Sequence, residues 1–274
     1  STTQAGTAWG SASPTSGTMW MKLSGVVKTT LTGGTDDYDY TNGEFESGLD
    51  LFADKESTDI DFILMGGGIP GGTEANAKTK AAYCATIAGL RKDAIAFLSA
   101  YKENQVSGTV TLSRAQQKTN TIAFFSAISS SSYTVLDSGF KYFYDRFNDK
   151  YRYIPCNGDV AGLCVSTSAT LDDWFSPAGL SRGGVRNAIK LAFNPTAADR
   201  DELYQARINP IVSFPGQGIT LFGDKTALSS PSAFDRINVR RLFINIEKRA
   251  ESLAKGVLFL SLIHISEPTR QDSI

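Results

Sequence analysis

The strongest constraint on the fold lies between residues 60 and 99. A short, continuous apolar run at 60–65 ends in glycines, a helix-like stretch fills 75–90, and a second apolar run follows at 94–99. Strands separated by a helix are joined by a crossover, and a crossover sets them parallel. The chain therefore reads as α/β, with a mixed-sheet core and crossover helices. Around that unit, the pattern predicts a strand over 20–31 and a helix over 42–53 with Phe45, Leu49 and Phe52 on one face. It also predicts a strand over 107–113 and a helix over 119–128. An aromatic hairpin over 140–154 turns at Asn148 and Asp149, and a helix covers 159–165.

A composition shift near Asp172 divides residues 25–171, the core domain, from a smaller α+β C-terminal subdomain over 172–259. In the second part the pattern predicts a strand over 185–193, then a helix over 196–206 with Pro195 at its entry. Strands over 211–214 and 219–222 flank a glycine loop. The subdomain ends in a long amphipathic helix over 235–254. There Val239, Leu242, Phe243, Ile246, Ala250 and Leu253 recur at spacings of three and four, which draws one apolar stripe along the rod. Two readings of that helix stay open: a core helix with a solvated face, or a docking helix that shows its charges to a partner.

Composition excludes several classes. A formal charge of −1 lacks the basic excess of a nucleic-acid binder. No apolar run approaches the eighteen or so residues of a membrane span. Cys84, Cys156 and Cys164 form no C-x-x-C pair and read as buried free thiols of a reducing compartment, neither a disulfide frame nor a metal site.

The motifs that suggest chemistry fail in detail. Gly66, Gly68 and Gly71 spell G-x-G-x-x-G, yet Pro70 stiffens the loop and the helix starts too late to meet a pyrophosphate. Residues 179–183 match G-x-S-x-G, but no strand leads into them and the only histidine is His264. In Gly223-Asp224-Lys225-Thr226 an aspartate stands where amides should cradle phosphate. The acidic clusters at 36–39, 172–173 and 199–202 lack calcium-ligand spacing. No catalytic, cofactor or metal site is expected. A hydrolase or nucleotide-binding enzyme is the rival from another class.

Several long blocks carry a resemblance. FGDKTAL followed by SAFDRINVRRLF, together with residues 91–97, 136–164, 174–204 and 209–218, resembles successive blocks of the tail sheath protein family of contractile bacteriophages, in the family's order. The resemblance covers residues 25–259. It implies a structural subunit that polymerises as helically stacked hexameric rings around an inner tail tube. On contraction the sheath would drive that tube through the host envelope. The implied partners are neighbouring sheath subunits, the tube protein, and the baseplate and tail terminator proteins, with no direct nucleic-acid contact and no membrane insertion. The implied location is the virion tail, after assembly in the host cytoplasm. The sheath of a phage-tail-like bacteriocin or injection system is the nearest alternative.

The resemblance further implies that the helix over 235–254 faces the tube, with Arg236, Arg240, Arg241, Glu247 and Lys248 as its exposed charged contacts. Residues 1–24 read as the remnant of a larger chain. Residues 260–270, LSLIHISEPTR, resemble a translated sequencing adapter, so 260–274 are read as an artefact. Family members normally extend past both ends into segments used for assembly. The expectation is a chain that folds as a core but polymerises poorly.

Overall fold

The structure is a computed structural model and describes residues 33–34, 38–108 and 112–258. The strand expected at 20–31, the remnant at 1–24 and the tail at 260–274 lie outside the described residues, as does the middle of the strand expected at 107–113. All elements below belong to the unit that begins at Asp39.

The expected strand–helix–strand unit is present. Strand β1 (Phe62–Leu64) leads into α2 (Glu74–Arg91) and then β2 (Ile95–Ser99), and the two strands pair in parallel. Helix α1 (Asn42–Asp50) precedes them, opened by a capping box in which Thr41 and Glu44 satisfy each other's free amides. After α3 (Arg114–Phe125) comes β3 (Thr134–Asp137), which also pairs in parallel with β2. Strand β7 (Ile208–Asn209) completes a four-stranded sheet in the order β1-β2-β3-β7.

Alternation along the strands builds two cores. Ile63, Ala96, Leu98 and Leu136 point to one side, against α2, α3 and Leu203 of α5 (Ala197–Gln205). Ile95, Phe97 and Val135 point to the other. They meet Val160, Ala161 and Cys164 of α4 (Asn157–Thr170), and Ile237 and Ile244 of α6 (Ile237–Lys255). Every residue of β2 is buried, as a central parallel strand covered on both faces requires.

Two antiparallel units complete the chain. The aromatic hairpin β4 (Phe140–Asp145) and β5 (Lys150–Pro155) turns where expected, with Asp149 at φ 50°, and β6 (Lys190–Leu191) pairs with its other edge. β8 (Ile211–Phe214) and β9 (Gly218–Leu221) form the second hairpin.

Four local readings are corrected. Helix α3 begins at Arg114, before the expected 119, because Ser113 and Gln116 form a capping box there. Helix α4 runs 157–170, past both ends of the expected 159–165. The strand expected over 185–193 contributes only β6, since residues 185–189 run as an irregular segment. Pro195 lies before the N-cap of α5, which is Thr196.

Candidate functional site: the outward face of helix α6

Helix α6 is fixed to the body by a ladder of polar anchors. At its start Arg236 donates to Asp224 at 2.6 Å and to the Tyr204 hydroxyl at 2.9 Å. One turn on, the Arg240 guanidinium is sandwiched between Phe234 and Tyr133, with its carbon 3.9 and 4.3 Å from the ring centres. Arg241 donates to the Cys164 carbonyl at 3.1 Å, to the Ser168 hydroxyl, and to Asp173 at 3.0 Å. Asn245 also donates to Asp173. Lys248 reaches Asp59 and Asp61, each at 2.7 Å, and the Ile60 carbonyl at 2.9 Å. Burial alone would lower the Lys248 ammonium, but those two carboxylates outweigh it and hold the group above its ordinary value.

These contacts correct the expectation for two of the five charged residues. Arg240 and Arg241, expected to be exposed, are 8% and 6% exposed, and their guanidinium groups are held in the interior of the chain. Arg236 and Lys248 are committed to Asp224 and to the Asp59–Asp61 pair. Glu247 alone of the five is exposed without an ion pair among the described residues.

The apolar stripe takes the opposite place from a core stripe. At 100° per residue, Val239, Phe243, Ile246, Ala250 and Leu253 lie on the side of the helix diametrically opposite Ile237, Arg241 and Ile244. Phe243 is 41% exposed, Ile246 51% and Leu253 78%. From Arg249 to Leu258 every residue is exposed, so the last turns leave the body on all sides. Neither open reading of the helix holds as stated. The helix docks by its charged side and shows its apolar side.

The remaining candidates are structural. Thr73 caps α2, and Lys80 closes the glycine loop before it, donating to the Gly67 carbonyl at 2.8 Å and the Tyr40 hydroxyl at 2.7 Å. Glu74 in the first turn opposes an anion there. Residues 179–183 form an irregular loop in which Gly183 donates to the Gly179 carbonyl at 2.7 Å. Asp224 of the GDKT turn is an anchor for α6. Among the described residues no group of acidic, cysteine or histidine side chains is arranged to hold a metal, and no helix is long and apolar enough to cross a membrane.

All three cysteines are buried free thiols, as expected, and burial pushes Cys84 and Cys164 up to about 12. One buried carboxyl escaped the sequence reading. Asp137, at the end of β3, accepts from Ser99 Oγ at 2.7 Å and from the Gly139 amide at 2.9 Å. Burial raises it to about 7 against those two bonds. Ser99 is itself buried and takes the Asn157 amide at 3.1 Å, so the cluster ties strand ends to α4 and is closed to substrate.

Comparison with known proteins places the chain in a family of structural proteins. The model of the phage tail sheath protein central domain matches residues 39–227. The tail sheath protein of Enterobacteria phage T4 is 38% identical over 245 residues, covering 86% of this chain and 36% of its own length. That of Vibrio phage KVP40 is 36% identical over 236 residues, covering 83% and 35%. The chain thus spans about a third of the length of these relatives. Among solved structures, the contracted helical sheath of the anti-feeding prophage aligns with a TM-score of 0.58 at 18% identity, over 86% of this chain and 55% of that one. A chain of the anti-feeding prophage baseplate aligns with a TM-score of 0.59 at 17% identity, over 80% and 51%. At those identities the likeness is one of fold, while the family model and the phage relatives extend to sequence. The chain belongs to the phage tail sheath family, whose matched members are structural proteins and not enzymes.

Proposed function

We propose that the chain is part of a subunit of a contractile tail sheath. In this reading it stacks with copies of itself in six-fold rings around an inner tail tube and meets baseplate and terminator proteins at the two ends. Contraction moves the tube through the host envelope. The work comes from strain stored in the extended packing, as in other released-strain switches, and assembly takes place in the host cytoplasm. The single observation that carries the proposal is the match of the sheath central-domain model across residues 39–227. The outward apolar stripe of α6 supports it, because a large exposed apolar patch marks a partner surface.

Helix α6 is the tube-facing element in this reading, with a changed division of labour. Arg236, Arg240, Arg241 and Lys248 hold the helix in place, while Glu247 and the stripe make the contact. A sheath serving an injection system without a capsid is the second reading, favoured by the fold shared with the anti-feeding prophage sheath. The test is to express the complete reading frame with its tube protein and view the product by negative-stain electron microscopy. Rings or striated hollow tubes are expected. A monodisperse monomer at high concentration, with tube protein present, contradicts the proposal.

A further inference from the structure

Helix α6 is one rod held in two different ways. Every buried residue of the helix lies in its first half: Ile237, Arg240, Arg241 and Ile244. The polar ties of that half are shielded as well. Arg241 and Asp173 form a largely buried pair, and Asn245 donates to the same carboxylate. Beyond Asn245 no residue of the helix is buried, and neither core contains a side chain from it. The second half is held by charge. Lys248 donates to Asp59 and Asp61, whose side chains are 86% and 71% exposed, and to the Ile60 carbonyl. Glu251 pairs with Lys55 at 3.5 Å, again between exposed groups.

Both ties end on one segment, residues 51–61, which joins α1 to β1. That segment contains no helix, no strand and no buried residue. It has a separate fixing in Arg91, a buried side chain at the end of α2, which donates to the carbonyls of Phe52, Asp54 and Thr58. The segment therefore stays with the body of the chain whether or not the second half of α6 is attached. Asp59 and Asp61 turn two like charges to one ammonium, and the Lys248 bond holds the Asp59 carboxyl below its ordinary value. Salt weakens such exposed pairs, because the screening length falls from about 10 Å at 0.1 M to about 3 Å at 1 M. It acts much less on the shielded ties of the first half. A helical end of two to three turns with no tertiary support is marginal in water, so release of this end shows as fraying.

We infer that the second half of α6, from Ile246 onward, is a salt-sensitive latch on the 55–61 segment. Lys248 closes it against Asp59 and Asp61, and rising ionic strength opens it while residues 237–245 stay on the sheet. Opening disturbs neither core, since this half contributes to neither. The latch is a property of the chain alone and does not rest on the sheath reading.

The test is amide exchange on the purified 274-residue chain at about 0.05 M and about 1 M sodium chloride. Exchange at residues 249–255 is expected to rise about threefold to tenfold at the higher salt, with residues 240–244 and strand β2 unchanged. Lys248→Met is expected to exchange at the faster rate already at low salt and to lose most of the salt response. Asp59→Asn with Asp61→Asn, at two exposed positions, is expected to behave in the same way. Residues 249–255 that ignore salt in the parent overturn the inference. So does a Lys248→Met chain that responds to salt as fully as the parent, or a double variant that keeps the parent's slow exchange. Equal acceleration in β2 also overturns it, because the opening is then that of the whole chain.

Discussion

Helices α2 and α6 are nearly equal in length, 18 and 19 residues, and lie against opposite faces of the same sheet. They reverse the usual relation between pattern and burial. α2 has weak periodicity, yet it is sunk deep in the core on Ala77, Ala81, Cys84, Ala85 and Ala88. Small side chains let it sit close on the strands, and its burial depends on proximity more than on an apolar stripe. α6 has the clearest stripe in the chain, and the stripe points away from the body. Its inner face is made of Ile237 and Ile244, with Arg240 stacked between two rings and Arg241 and Lys248 held by carbonyls and carboxylates. The lesson is that an amphipathic pattern shows a helix to be two-sided, not which of its sides meets the body of its own chain.

The largest expected effect breaks the inner face of α6. Arg241→Met removes the cation from a pair whose side chains are 7% and 20% exposed. It leaves the Asp173 carboxylate, still bonded by Ser168 and Asn245, without a balancing cation. A loss of about 3–5 kcal/mol is expected, read from urea denaturation.

The next effect tests the strand ends between the two helix layers. Asp137 carries a folded value of about 7 against an ordinary 3.8. Between those values the folded chain holds a proton that the unfolded chain has released, so stability falls as pH rises and levels off above about 7. Over pH 5 to 8 the loss from this group is about 2–3 kcal/mol at about 1.4 kcal/mol per unit. Denaturation of the parent and of Asp137→Asn at the two pH values should show the slope in the parent and not in the variant.

On α2 the expected effect is smaller and of steric origin. Ala88→Leu forces extra carbons into a site with no exposed surface and should cost about 1–3 kcal/mol, seen as a lowered Tm. The smallest effect belongs to the outer face of α6. Leu253→Gln should change the stability of the isolated chain by less than about 0.5 kcal/mol, while weakening assembly in the complete protein. If Leu253→Gln destabilised the isolated chain as much as Ala88→Leu, the contrast between the two helices would collapse.

Legibility in the sequence follows the same contrast. The β1-α2-β2 unit was readable because two apolar runs and one helix admit a single kind of connection. The hairpins were readable from their turn residues and alternation. β3 was missed: Thr134–Asp137 is four residues, follows a serine run and shows no alternation, because both of its faces are buried. Helix α6 was readable as a helix, but its orientation was not. Arg241 finds Asp173 across 68 residues of sequence and Arg240 finds Tyr133 across 107, so nothing local distinguished these arginines from solvated ones. Asp137 was invisible for the same reason, since its partner Ser99 lies 38 residues away. Family membership was legible because it rests on blocks of sequence and not on long-range contacts.

The central claim is that α6 docks by its charged side and presents its apolar side. The most direct measurement is thiol labelling along the helix in the isolated chain, where Cys84, Cys156 and Cys164 are buried and give a slow background. Single cysteines are placed at Ile246, Leu253, Ile244 and Arg241 and reacted with a small maleimide under native conditions. The account predicts that Ile246→Cys and Leu253→Cys label at the rate of a free peptide thiol, and that Ile244→Cys and Arg241→Cys label at least a hundredfold more slowly. Fast labelling at 241 and 244 with protection at 246 and 253 would contradict it, and would return the helix to an ordinary core stripe with its charges outward.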